Sequence, residues 1–139
     1  MGRRRVILYL DANSIIYVIE GAASVRNTVV TQISEVENAT GARIVTSRLS
    51  WLECRVKPLR DGNAELLRLY DGFFARGSLA VVEIGQQVIE LATEIRARHR
   101  YKVPDAIHLA TAVEQRADLF LTGDVGLAKF PELKIEIIR

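Results

Sequence analysis

Val6-Ile7-Leu8-Tyr9-Leu10-Asp11-Ala12-Asn13-Ser14 passes from an unbroken apolar run to a carboxylate and helix-capping residues with no loop between them. A short continuous apolar run suits a strand of a parallel sheet, which is buried on both faces. Asp, Asn and Ser accept hydrogen bonds from the free amides of a first helical turn, so a helix starts where this strand stops. That helix continues through Glu20 and closes at Gly21. A strand feeding straight into a helix is half of a strand–helix–strand unit, and the rest of the chain repeats the alternation.

From Ser24 the apolar residues Val25, Val29, Ile33 and Val36 recur at helical spacing, and Gly41 ends the run. Residues 43–47 read as the second strand. Ser50-Trp51-Leu52-Glu53 has the capping-box pattern, which starts a helix near Ser50 that Pro58 ends. Another helix begins at about Asp61, with Leu66, Tyr70, Phe73 and Phe74 on one face. Residues 79–82 form the third strand. Val88, Leu91, Ala92 and Ile95 mark a helix that runs into the basic stretch at 96–102. Pro104-Asp105 opens a further helix with the apolar stripe Ala106, Leu109, Ala110 and Val113. Residues 118–121 and 134–138 supply the fourth and fifth strands. The fold class is therefore α/β, a mainly parallel sheet with helices on both faces, in a single domain over residues 1–139.

Composition agrees. The 139 residues are 49% hydrophobic and 26% charged, enough apolar material for a real core and too much for a disordered chain. No apolar run reaches the length of a bilayer span. The basic tip Gly2-Arg3-Arg4-Arg5 before the first strand has some look of a leader. However, Asp11 interrupts the apolar stretch and no small-residue cleavage site follows, so it reads as a strand behind a charged tip. The lone Cys54 cannot form an internal disulfide, which fits a reducing cytoplasm.

Four acids, Asp11, Glu53, Asp105 and Asp124, fall where strands end or helices begin. Ligand sites of open parallel sheets lie beyond the carboxyl ends of the strands, where strand order reverses, and all four can reach that edge. Two unit charges 4 Å apart repel by about 4 kcal/mol at an effective dielectric near 20, so a cluster of four calls for a cation. Hard oxygen donors suit Mg2+ or Mn2+; the absence of a cysteine cluster and the presence of only two histidines disfavour zinc. Such a site can activate water against a phosphodiester. Outside these acids the surface holds a surplus of six positive charges, 19 basic residues against 13 acidic, which suits a polyanion.

Each acid taken singly has an ordinary reading as well. Asp11 and Asp105 suit helix starts, Glu53 suits the capping-box partner of Ser50, and Asp124 suits the turn after Thr122-Gly123. Asn13 and Thr122 are supporting candidates, the first to hold a ligand or cap the helix, the second to orient a carboxylate or water. Arg98, Arg100 and Lys102, with Arg96 and His99 beside them, form a candidate RNA-contacting patch, with Tyr101 available for base stacking. His108, one helical turn beyond Asp105, could touch a bound phosphate or be a satisfied, partly buried histidine. Trp51 and Cys54 read as packing residues.

Tyr9-Leu10-Asp11-Ala12-Asn13, Ser50-Trp51-Leu52-Glu53, Pro104-Asp105-Ala106-Ile107-His108-Leu109-Ala110 and Leu121-Thr122-Gly123-Asp124 resemble, in order and spacing, the motifs of PIN-domain ribonucleases. The nearest look is to the VapC toxins of toxin–antitoxin pairs. That resemblance implies a Rossmann-like α/β/α fold with five strands in the order 3-2-1-4-5. It also implies a Mg2+- or Mn2+-dependent endoribonuclease with Asp11, Glu53, Asp105 and Asp124 as its acidic quartet. A homodimer, a VapB-like antitoxin partner and a tRNA or rRNA substrate are implied with it. The chain departs from some relatives in having Gly126 where they carry a further acid and Leu127 where many carry Phe, which weakens the case for a second ion.

Other functions compete with this one. A non-catalytic PIN-like module that binds RNA or protein would keep the fold without the hydrolysis, and an RNA-processing nuclease would keep the chemistry without the toxin role. A response-regulator-like phosphoacceptor would need a paired acid on the first strand and a well-placed lysine on the last; Lys134 opens its strand and fits poorly.

Overall fold

The computed structural model describes residues 6–139, so the basic tip at residues 2–5 lies outside the described part. Five strands, β1 (Ile7–Leu10), β2 (Arg43–Ser47), β3 (Leu79–Val82), β4 (Leu119–Thr122) and β5 (Ile135–Ile137), form one sheet in the order β3-β2-β1-β4-β5. Every pairing is parallel. Order reverses between β1 and β4, whose register sets Leu10 beside Leu121. The two strand ends that lead to Asp11 and Asp124 are therefore neighbours.

Strand alternation divides the core into two halves. Leu8, Leu10, Ile44 and Leu121 face helices α1 (Ala12–Glu20), α2 (Ala23–Glu37), α3 (Arg48–Arg60) and α4 (Ala64–Phe74), meeting Ile15, Val29, Ile33, Cys54, Tyr70 and Phe73. Tyr9, Val45 and Phe120 face the other way, onto α5 (Gln86–His99) and α6 (Val103–Glu114), with Val88, Ile95, Leu109 and Phe130. Side chains of period two thus fill both faces at once, which is why these strands read as continuous apolar runs. Among the described residues no helix is long and apolar enough to cross a membrane.

Several boundaries differ from the sequence reading. The N-cap of α3 is Ser47, whose hydroxyl accepts from the Leu49 amide at 3.0 Å. Ser50 is inside the helix and buried, its hydroxyl donating to Thr46 Oγ1 at 2.7 Å while Thr46 donates to the Leu10 carbonyl at 2.6 Å. The Ser50–Glu53 capping box is thus corrected: an earlier cap leaves Glu53 free of that duty. Pro58 does not end α3 but sits buried in its last turn, with Leu59 and Arg60 completing the helix. α4 begins at Ala64, later than the expected start at about Asp61, and Asn63 caps it, accepting from the Leu66 amide at 3.0 Å. β4 begins one residue later than expected; Asp118 instead receives the Ile7 amide on its side chain at 2.8 Å.

Candidate metal and nucleic-acid site

Asp11 follows β1 and caps α1. Its Oδ1 accepts from the Ser14 amide at 2.9 Å, with the Ser14 hydroxyl 3.0 Å away. Its Oδ2 accepts from the Thr122 hydroxyl at 2.5 Å, so the ends of β1 and β4 are joined through a carboxylate. Thr122 is fully buried and also accepts from the Asp124 amide at 3.0 Å. Asp124 begins a short 3-10 turn (Val125–Leu127), its Oδ1 accepting from the Gly126 amide at 2.9 Å. Gly123 leaves room for Tyr17, whose ring would lie 2.7 Å from a Cβ at that position, so a larger residue there would displace the phenol.

Glu53 projects from α3 and Asp105 from the first turn of α6. Glu53 meets His108 across the gap between the two helices, with Oε1 2.8 Å from Nε2. Burial raises the Asp105 carboxyl above its ordinary range, and neighbouring Asp124 raises it further, with smaller contributions from Asp11 and Glu53 against the opposing pull of His108. Burial also raises Asp11, against the hydrogen bond from Thr122 and the influence of His108. Asp105 at the start of α6 thus feels the carboxylates of Asp124 in the turn after β4, of Asp11 at the end of β1 and of Glu53 on α3.

The arrangement is a cradle rather than a closed cage: among the described residues, no three Asp, Glu, His or Cys side chains stand together as a ready ligand set. The donors nonetheless fit a hard divalent ion in kind. They are carboxylate oxygens, partly desolvated and mutually repelling, and a cation relieves both penalties.

The supporting candidates separate. Thr122 is bonded to two members of the quartet through Asp11 and the Asp124 backbone. Asn13 is exposed on the first turn of α1, where Asp11 performs the capping. Arg98, Arg100 and Lys102 are exposed around the end of α5, just before the turn that carries Asp105. Tyr101, expected as a free stacking ring, is half-buried and packs against His99 and Phe130. Its phenol is raised by burial and by the nearby Asp105 and Asp124. His108, expected among the RNA contacts, is buried with one ring nitrogen on Glu53 and the other 2.7 Å from the Tyr9 hydroxyl. Neither nitrogen is left for a phosphate. The sequence reading missed Ser14 and Tyr9. Their signal was a hydroxyl three residues after Asp11 and a polar-tipped ring in an otherwise aliphatic strand.

The PIN-domain sequence pattern matches residues 8–133, spanning every element that builds this edge. The chain belongs to the PIN-domain family. Comparison with curated protein sequences yields no match. Solved structures share its fold. VapBC2 of Rickettsia felis, seen bound to a DNA fragment from its promoter, superposes with a TM-score of 0.79 at 16% identity, covering 96% of this chain and 100% of that one. DNA-bound VapBC of Salmonella typhimurium gives 0.69 at 18% identity, covering 96% and 99%. VapC20 of Mycobacterium tuberculosis, described as a toxin that cleaves the Sarcin-Ricin loop, gives 0.67 at 16%, covering 91% and 98%. At these identities the likeness concerns the fold alone. The PIN assignment agrees with the 3-2-1-4-5 strand order.

Proposed function

We propose that this PIN domain is a Mg2+- or Mn2+-dependent endoribonuclease serving as the toxin of a type II toxin–antitoxin pair. The observation that carries the reading is the geometry at the ends of β1 and β4, where the buried Thr122 hydroxyl donates to Asp11 and accepts from the Asp124 amide; the influence of Asp124, Asp11 and Glu53 on the Asp105 carboxyl supports it. Membership of the PIN family and the likeness to VapC-containing structures support it.

A bound divalent ion would supply charge neutralisation and a polarised water for attack on a phosphodiester. Asp11 and Asp124 would be its principal holders, with Asp105 and Glu53 completing the shell or orienting the water. The protein prepares these groups in advance. Ser14 and Thr122 fix both oxygens of Asp11, so that little reordering remains when an ion arrives. The Gly126 amide holds one oxygen of Asp124. Exposed Arg98, Arg100 and Lys102, at the end of α5 and shortly before Asp105 in the chain, would bind RNA phosphates. In this reading a VapB-like antitoxin and a second copy of the chain are the protein partners, and tRNA or rRNA is the substrate.

The test is cleavage of structured RNA by purified protein with Mn2+, beside an Asp11→Asn variant. Cutting by the parent chain and none by the variant is expected. Equal cutting by both, in preparations free of contaminating nuclease, would overturn the assignment.

A further inference from the structure

Three residues distant in sequence form a continuous hydrogen-bonded line through the interior. Tyr9 of β1 reaches His108 of α6 at 2.7 Å, and His108 reaches Glu53 of α3 at 2.8 Å. Tyr9 is fully buried and His108 is 4% exposed, so water does not compete for the bond between them, while the Glu53 end of the line is partly open to solvent. The ring of His108 is also set edge-on to Tyr9, with centroids 5.9 Å apart, and Phe120 stacks on the other side of the phenol at 5.0 Å.

The direction of the line follows from donor counting. A carboxylate only accepts, so the hydrogen between Glu53 Oε1 and His108 is carried by Nε2 of the ring. A neutral imidazole with its proton on Nε2 accepts at Nδ1, and the Tyr9 hydroxyl 2.7 Å away supplies that hydrogen. A glutamate side chain has several rotatable bonds, and this one is partly open to solvent, so without such an anchor it would sample several rotamers.

We propose that His108 is a positioning residue, oriented by Tyr9, that fixes Glu53 through Oε1 and keeps Oε2 free for the divalent ion. The proposal rests on the metal-site reading above, and it assigns His108 a task that leaves it out of contact with RNA. An outer hydrogen bond of this kind sets the orientation and basicity of a ligand, and its loss costs about 10- to 100-fold in metal affinity.

The experiment is Mn2+ titration by calorimetry on the full chain, at a temperature where circular dichroism shows each variant folded. His108→Phe keeps a flat ring but removes both nitrogens. His108→Gln keeps an N–H donor for Glu53. Tyr9→Phe removes only the phenol hydroxyl, and Asp11→Asn is the control for the site itself. The expected dissociation constant rises about tenfold in His108→Phe, stays within about threefold of the parent in His108→Gln, and rises at least threefold in Tyr9→Phe. A parental constant in folded His108→Phe, or equal losses in the Phe and Gln variants, overturns the positioning role. If His108→Phe does not fold, a parental constant in Tyr9→Phe overturns it instead. Undiminished binding by Asp11→Asn defeats the metal site as a whole. Lost binding there with unchanged binding in the His108 and Tyr9 variants defeats only this proposal.

Discussion

Replacing Thr122 with valine removes one hydroxyl, leaves the shape of the side chain nearly unchanged, and so opens no cavity. That hydroxyl is fully buried, donates to Asp11 Oδ2 at 2.5 Å and accepts from the Asp124 amide at 3.0 Å. A hydrogen bond to a charged group contributes about 1.5–3 kcal/mol, and Asp11 is too deeply buried for water to replace it. The bond from the Asp124 amide adds about 0.5–1 kcal/mol, because that half-buried residue can turn toward solvent. The expected loss for metal-free protein near neutral pH is therefore about 2–4 kcal/mol. Urea unfolding with chelator present measures it, with Thr122→Ser as the companion that keeps the hydroxyl and loses only a methyl group. The larger share depends on Asp11 being ionised. Thr122 lowers the Asp11 carboxyl against the rise caused by burial, so its contribution is complete above the Asp11 pKa of the folded state and declines as pH falls through it. A Thr122→Val loss below about 0.5 kcal/mol, or one unchanged between about pH 8 and pH 4, would refute this reasoning.

Other outcomes follow from the same geometry. Burial and neighbouring carboxylates raise Asp105, and burial raises Asp11. Each therefore binds protons in the folded chain at a pH where the unfolded chain has released them. Metal-free stability should accordingly fall as pH climbs through their folded-state values, and a pH series of melting curves in chelator showing a rise instead would contradict it. Saturating Mn2+ should reverse that trend, adding about 2.7 kcal/mol at 100 times its dissociation constant in the parent chain and nothing in Asp11→Asn. Arg100 holds a left-handed backbone at φ 59° as the C-cap of α5, so Arg100→Gly should gain about 1 kcal/mol in urea unfolding while weakening RNA binding. Cys54 is buried and its thiol is pushed well up, first by burial and then by Glu53 and Asp11. Thiol-reactive dye should label it only at the rate of unfolding; immediate labelling of native protein would show the α1–α3 packing to be wrong.

The run at residues 6–10, with the capping chemistry of Asp11 behind it, was enough to declare a buried parallel strand and the helix after it. A short apolar run bounded by capping residues can do this, because a strand covered on both faces must be apolar throughout and a helix start must supply acceptors for its amides. The alternation along the rest of the chain gave the layers, and the four acids at element ends gave the candidate edge. Linear sequence could not say which polar neighbour each acid uses. Ser50 with Glu53 had the spacing of a capping box, yet Ser47 takes the cap, and Glu53 pairs with His108, 55 positions further on. For His108 the sequence favoured a satisfied, partly buried ring over a phosphate contact but could not name its partners, which the sheet supplies by placing Tyr9 against its second nitrogen. Local propensities depend on residues a turn apart and so are written in the sequence. The partners of a buried polar atom depend on which elements the sheet order brings together, and only the folded chain decides that.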